Sequence, residues 1–170
     1  MEAQPKFNLI IDSCCDLPFE VIDRPGVQLL EFPYIDEKGE HSDDLYRSVT
    51  PHEFYEGIRA GSQPSTAQVP VTVFHDVFSK AIESGVPTVY LSFTSGLSGS
   101  FNTAVMMRDQ LIAEHPEAEL YVVDTYLASV AEALLVYEAL NQRDNGMTAR
   151  ELASWSAEAR YFVAAEFMLD

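Results

Sequence analysis

The stretch that decides the fold is residues 88–104, TVYLSFTSGLSGSFNTA. An apolar run over residues 89–93 ends at a cluster of hydroxyl-bearing residues and glycines over 94–100, and an amphipathic segment follows directly. This order predicts a strand, a tight turn and the start of a helix. Such a turn points backbone N–H groups and short hydroxyls at one place, where the helix dipole is positive. The stretch therefore predicts a site for a small anionic group.

The rest of the chain repeats this alternation of strands and helices. Apolar runs bounded by turn residues predict strands at residues 7–11, 27–35, 89–93 and 120–123. Capping residues and apolar stripes predict helices at residues 18–22, 50–61, 74–85, 101–112 and 127–140, and a last one from 148. Residues 62–65 are predicted to be a loop, and segment 127–140, apolar on nearly every side, to be buried. The pattern indicates an α/β fold with a mostly parallel sheet and helices on both faces.

Composition limits the classes of protein to which the chain can belong. Its 170 residues are 47% hydrophobic and 22% charged, which indicates a single globular domain over residues 1–170. The net charge of −17 argues against nucleic acid and anionic membrane surfaces as partners. The two cysteines are adjacent, no secretion signal is recognisable at the start, and no apolar run is long enough to span a membrane. A cytoplasmic location is the expectation.

Short polar residues follow three of the predicted strands. They are Asp12-Ser13, Thr94-Ser95 and Asp124-Thr125, and in a parallel sheet such strand ends meet at one edge, where ligands bind. The two aspartates could act together as a metal or acid–base pair, or each could cap the turn that follows it. Capping is the interpretation we favour.

Several common catalytic and cofactor motifs are missing from the sequence. The segment around Ser98 places its second glycine one residue too early for a nucleophile elbow. No phosphate-binding P-loop or dinucleotide fingerprint occurs, and the four histidines are too far apart for a zinc site. The hydroxyl clusters at 62–68 and 94–100 contain no lysine or arginine, whereas phosphate sites usually recruit a cation. We therefore expect no metal or cofactor, and a carboxylate as the bound anion.

Four segments, in order along the chain, resemble motifs of the DegV family. They are DSCCDLP at 12–18, PSTAQ at 64–68, TSGLSGSFNTA at 94–104 and VVDT with Ala128-Ser129 at 122–129. The resemblance covers essentially the whole chain and implies the fold of a DegV-type N-terminal domain. It also implies a bacterial, cytoplasmic carrier of one long-chain fatty acid, with no catalytic activity. Some members of the family present the bound acid to a fatty acid kinase, which is thus an implied partner.

The resemblance also assigns the candidate ligand-binding residues. Thr66 and Ser95 match the family's carboxylate ligands, and backbone N–H groups around Ser98 and Gly99 would complete the site. Asp12 and Ser13, at the end of the first strand, complete the candidate set. The matching positions keep these contacts although Ala67 and Thr94 stand where the family has serine. The acyl chain could be lined by the helix at 127–140 and the stripe at 74–82, although both segments are equally typical of plain core.

Two expectations concern the end of the chain and the alternatives to a carrier. Family members are longer, so the second, C-terminal domain of the family is expected to be absent here. The apolar run 162–169 is expected to lie against that domain. A phosphotransfer domain of related architecture remains an alternative, although no histidine follows a predicted strand. The other alternative to a carrier is a fragment that binds no ligand and serves as a scaffold.

Overall fold

The computed structural model describes residues 6–166. In chain order the strands are β1 (Asn8–Asp12), β2 (Val27–Leu30), β3 (Pro33–Asp36), β4 (Gly39–Ser42), β5 (Ser65–Thr66), β6 (Thr88–Ser92) and β7 (Leu120–Asp124). The α-helices are α1 (Phe19–Ile22), α2 (Pro51–Arg59), α3 (Val71–Glu83), α4 (Ser100–Glu114), α5 (Ser129–Asp144) and α6 (Ala149–Ala159). Short 3₁₀ turns lie at Ser13–Cys15 and Arg160–Phe162.

The main sheet is parallel and has the order β2-β1-β6-β7. Alternate residues of β1 face opposite sides, as the two-residue period of a strand requires. Leu9 and Ile11 pack with residues of α5 and α6 such as Val136, whereas Ile10 packs with residues of α3 and α4 such as Phe74. Helices thus cover both faces, every residue of β6 is buried, and the predicted α/β fold is confirmed.

A second, antiparallel sheet of order β4-β3-β5 was not expected from the sequence. The single strand predicted at 27–35 is in fact two strands, β2 and β3, that belong to different sheets. Two hydrogen bonds to residues distant in sequence accompany the break. The N–H of Phe32 donates to Ser13 Oγ at 3.1 Å, and the carbonyl of Phe32 accepts from the N–H of Asp43. The predicted loop at 62–65 is also wrong at its end, because Ser65 pairs with Ile35.

Several predicted helix boundaries are confirmed. Thr50 with Glu53 forms a capping box at the start of α2, and Thr148 with Glu151 forms another at the start of α6. The prediction that segment 127–140 is buried on every side is wrong, because α5 packs one face on the sheet and exposes another. None of the helices within residues 6–166 is long and apolar enough to cross a membrane.

Candidate ligand-binding site

A cavity of about 590 Å³ lies between the small antiparallel sheet and the start of α4. Its walls are mostly aromatic or apolar, and neutral polar groups collect near α4. The lining residues that matter below are Cys14, Phe32, Tyr34, Asp43, Asp44, Val49, Phe54, Thr66, Gln68, Phe93, Leu97, Ser98 and Gly99. No lysine, arginine or histidine is found among the described residues that line it. An anion bound here would be held by uncharged donors.

The expectation for the apolar walls needs correction. The aromatic residues of stripe 74–82, Phe74 and Phe78, are fully buried in the core between α3 and the main sheet. No residue of 127–140 lines the cavity either. The walls instead come from Phe32, Tyr34 and Phe54. These residues belong to the segments 27–35 and 50–61, which were predicted as a strand and a helix without any role in a site.

Hydrogen bonds through Ser100 hold the two hydroxyl clusters of the sequence together. The buried Ser100 Oγ accepts from the N–H of Val69 at 3.1 Å, which fixes the segment that carries Thr66. Ser98 Oγ in turn donates to Ser100 Oγ at 3.0 Å and accepts from the N–H of Ser100 at 3.2 Å. The structure therefore brings Thr66, Ser98 and Gly99 to the wall of one cavity.

Gly99 allows a close approach between these two segments. It is the N-terminal cap of α4 with φ of −75°, so its backbone does not itself require glycine. A Cβ at this position would collide with the side-chain oxygen of Gln68. The absence of a side chain therefore lets the Gln68 amide lie directly against the start of α4, where unpaired N–H groups and the helix dipole favour acceptors and anions.

The two hydroxyls expected at the carboxylate differ in position. Thr66 is exposed, lines the cavity and pairs with Tyr34 across the small sheet. Ser95 is half-buried and is not a wall residue; its N–H donates to Asp124 Oδ1 at 3.2 Å. Among residues 6–166, neither hydroxyl makes a hydrogen bond within the protein, so both can still accept or donate one.

Asp12 and Ser13 do not line the cavity, and both are completely buried. Asp12 Oδ2 accepts from the N–H of Phe93 at 2.7 Å and from the hydroxyl of Tyr90 at 3.0 Å. Asp12 Oδ1 accepts from the N–H of Cys14 at 3.2 Å. Burial raises the pKa of Asp12 to about 7, although these three donors act in the opposite direction. Asp12 and Ser13 thus accept hydrogen bonds from the backbone of three wall residues, Cys14, Phe32 and Phe93, on the side of the wall that faces the core.

The capping interpretation of the two aspartates is confirmed. Asp12 caps the 3₁₀ turn Ser13–Cys15 through the N–H of Cys14. Asp124 Oδ1 accepts from the N–H groups of Ser95 and of Tyr126, the latter at 3.0 Å. Within the part of the chain that the structure describes, no three acidic, cysteine or histidine side chains are grouped so as to hold a metal ion.

The cysteines and the acidic part of the wall are electrostatically distinct from the donor end. Burial, with nearby carboxylates, raises the pKa of the Cys14 thiol far above its usual range and that of Cys15 to about 12. Cys14 is therefore a neutral part of the wall at physiological pH. Asp43, a wall residue, has a pKa raised by burial, while its bond from the N–H of Leu45 lowers it. An acidic ligand group would avoid this side of the cavity.

Comparison with known proteins agrees with the motifs and the fold. The family model described as "Uncharacterised protein, DegV family" matches residues 6–170. A DegV domain-containing protein of Clostridium perfringens is 32% identical over 165 residues, which are 97% of this chain and 57% of that protein. A protein of Thermotoga maritima named "Fatty acid-binding protein" is 32% identical over 149 residues, 86% of this chain and 50% of that one.

The fold is also found in solved structures. The crystal structure of a DegV lipid-binding protein of Thermotoga maritima superposes with a TM-score of 0.74 at 30% identity, over 92% of this chain and 55% of that one. The chain spans about half the length of the curated relatives that it matches. With a family model that matches almost its entire length, the chain belongs to the DegV family.

Proposed function

We propose that this chain binds one long-chain fatty acid and acts as a carrier rather than as an enzyme. The observation that carries the proposal is the cavity of about 590 Å³, because it combines aromatic and apolar walls with a group of neutral donors at the start of α4. Cavities of this size are typical of small-molecule sites. The descriptions of relatives as fatty-acid-binding and lipid-binding proteins support the same ligand class.

The carboxylate of the acid would lie at the donor end. Thr66 would donate its hydroxyl from the cavity wall, and backbone N–H groups around Ser98 and Gly99 would donate as well. Ser95 does not line the cavity, so its hydroxyl would have to turn toward the carboxylate when the acid binds. A carboxylate taken from water needs such donors, because an unpaired buried charge is very costly. The positive end of the α4 dipole adds a favourable field there. Asp43 and Asp44, on another part of the wall, disfavour the reverse orientation.

The acyl chain would be stabilised by the aromatic walls. Each buried methylene contributes about 0.8 kcal/mol to binding, so a long acyl chain supplies most of the affinity. The carboxylate determines the orientation of the acid in the cavity. Asp12 and Ser13 enter this proposal as positioning residues. Their bonds to the N–H groups of Phe93 and Phe32 hold two aromatic wall residues where the acyl chain would pass.

The partner and the compartment follow from the same proposal. A bound acid whose carboxylate lies near the exposed Thr66 can be offered to a second protein without leaving the cavity, so a fatty acid kinase is the partner that we propose. The free thiols of Cys14 and Cys15 fit a reducing compartment, and we place the carrier in the cytoplasm.

The test is a double substitution at the two proposed hydroxyl donors. Thr66→Val with Ser95→Ala removes two hydrogen bonds to a charged group, which should weaken palmitate binding by about 3–6 kcal/mol. Binding to delipidated protein is measured by titration calorimetry, and the thermal midpoint should change little because neither hydroxyl bonds to the protein. Ser65→Ala is the matched control, since Ser65 lies beside Thr66 in β5 but does not line the cavity.

Two results would contradict the proposal in different ways. Unchanged palmitate affinity in the double variant would remove Thr66 and Ser95 from the site. If native mass spectrometry of the chain purified from bacteria shows no fatty acid, and palmitate does not bind on titration, the scaffold alternative is preferred.

A further inference from the structure

A second cavity, of about 640 Å³, lies beneath α2. It shares four wall residues with the ligand cavity: Tyr34, Ser48, Val49 and Phe54. The two spaces are therefore neighbours separated by a thin partition. Only the first of them reaches the hydroxyls and backbone N–H groups at the start of α4.

The partition consists mainly of two aromatic rings. Tyr34 and Phe54 meet edge to face, with ring centroids 5.8 Å apart and planes at 90°. Tyr34 belongs to β3 and stacks on His41 of β4 at 5.0 Å, so the small sheet holds it on both sides. Phe54 comes from α2 alone. Of the two rings, Phe54 is the one that can move without disturbing a sheet.

Helix α2 is packed loosely against the rest of the protein. None of its residues is buried, and Ile58, which lines the second cavity, is 40% exposed. Gly57 lines the same cavity, and a Cβ added there would meet no atom within 4 Å. The apolar side of an amphipathic helix normally packs on a core. Here it borders open space that Val49, Phe54, Ile58 and Pro64 line with apolar surface, whereas charged residues line the rest of that space.

We propose that Phe54, closing against Tyr34, sets the acyl chain length that this site accepts. The proposal rests on the proposed function and names its substrate range. Acids that fit the first cavity end at the Tyr34–Phe54 pair. Longer chains displace the Phe54 ring and place their last methylenes beneath α2, against Ile58 and Val49. The charged residues of the second cavity, Asp36, Glu37, Lys38, His41 and Glu53, leave only its apolar part, at Val49 and Ile58, for the methyl end of the acid.

The first experiment measures affinity across saturated acids from lauric to behenic. In the unsubstituted chain, affinity should rise with each methylene and then level off where the methyl end reaches Phe54. In Phe54→Ala the rise should continue to longer acids, by up to about fourfold per methylene. His52→Ala is the control: His52 lies two positions before Phe54 in the same helix, is exposed and lines neither cavity. Its profile should match that of the unsubstituted chain.

The second experiment fills the space beneath α2. Gly57→Leu places a side chain in the second cavity, and leucine favours a helix more than glycine does, so folding should not suffer. Added to Phe54→Ala, it should lower the ratio of behenic to myristic affinity by at least about tenfold, the equivalent of two methylenes. The ratio separates this effect from a general loss of binding.

The outcomes distinguish the two proposals. If Phe54→Ala and His52→Ala give the same chain-length profile, or if Gly57→Leu leaves the affinity ratio unchanged, the partition does not set chain length while the carrier function stands. If the unsubstituted chain binds none of the acids, the carrier function fails, and the inference fails with it.

Discussion

At the scale of single residues, three small residues, Ser98, Gly99 and Ser100, explain how the segment around Thr66 and the start of α4 can form one group of hydrogen-bond donors. Ser100 is buried and receives the N–H of Val69, so the chain around Thr66 cannot drift from α4. Ser98 caps the N–H of Ser100, and Gly99 leaves room for Gln68. Larger residues at 98–100 would separate the two segments. The site thus depends on small size as much as on hydrogen bonding.

Substitution of Gly99 should therefore harm the protein more than substitution of Ser98. Valine at 99 forces the exposed Gln68 side chain to turn away from α4 and is a poorer N-cap residue than glycine, at a cost of about 1–2 kcal/mol. Ser98→Ala loses a local bond worth about 0.5–1.5 kcal/mol. Thermal midpoints from circular dichroism compare the two variants. Equal thermal midpoints would mean that Gln68 moves aside freely and that the contact at Gly99 does not contribute to the stability of the fold.

The residues found from sequence were those within short motifs. Ser98 and Gly99 were predicted because a strand, a turn and a helix start follow one another within residues 88–104, whereas Thr66 was predicted only from the resemblance of residues 64–68 to a DegV motif. The wall residues Tyr34 and Phe54 were not found. Their meeting depends on how β3 and α2 pack together, and neither the aromatic residues nor their spacing distinguishes a cavity wall from ordinary core.

At the scale of elements, α5 carries one group that does not fit its surroundings. Glu132 is completely buried, and neither of its carboxyl oxygens has a hydrogen-bond partner among residues 6–166. Burial, with repulsion from Asp12, Asp16 and Asp124, holds the pKa of Glu132 well above its usual range. In the unfolded chain the same group ionises near pH 4.5. The folded protein therefore retains a proton that the unfolded chain releases.

This difference makes the stability contribution of Glu132 depend on pH. Because the folded state binds the extra proton, the free energy of unfolding falls as pH rises above about 4.5. Glu132→Gln cannot ionise and removes this slope. The free energy of unfolding of the variant, relative to that of the original, should therefore be greater near pH 7 than near pH 4, as measured by urea unfolding.

The control for Glu132→Gln is the same substitution at Glu158, which is exposed on α6. Glu158→Gln should change the free energy of unfolding by no more than about 0.5 kcal/mol at either pH. A gain for Glu132→Gln that is equal at both pH values would show that packing rather than ionisation explains it.

Residues 27–35 were predicted as one strand, and they show that a hydrophobic pattern does not reveal which sheet a strand joins. Both β2 and β3 have the composition of strands. Pro33 marks the first residue of β3, but a proline there does not show that the following residues join another sheet. The break comes from Ser13 Oγ, nineteen positions away in the sequence, which takes the N–H of Phe32. A side chain distant in sequence thus assigns β3 to a second sheet, and with it creates the cavity.

At the scale of the whole molecule, an apolar row on α5 is left uncovered by the residues that the structure describes. Val130, Leu134 and Tyr137 follow one another along one side of α5 and are 70%, 60% and 49% exposed. Spacings of four and three residues place them on the same helix face. Of the apolar run 162–169 that was predicted to lie against a second domain, Phe162 is exposed, Val163 packs against a cluster that includes Ala131 and Leu135 of α5, and residues 167–169 are outside the described residues. We propose that such a domain covers the α5 row.

The last prediction tests that surface directly. An uncovered apolar row should bind a hydrophobic dye such as ANS and promote self-association. Val130→Gln with Leu134→Gln should reduce both, whereas Met106→Gln, at a residue of α4 that is 55% exposed, should change neither. Dye held in the ligand cavity is recognised separately, because palmitate displaces it while the α5 signal remains. If the chain is monomeric at high concentration and gives no ANS fluorescence, the α5 row needs no covering domain.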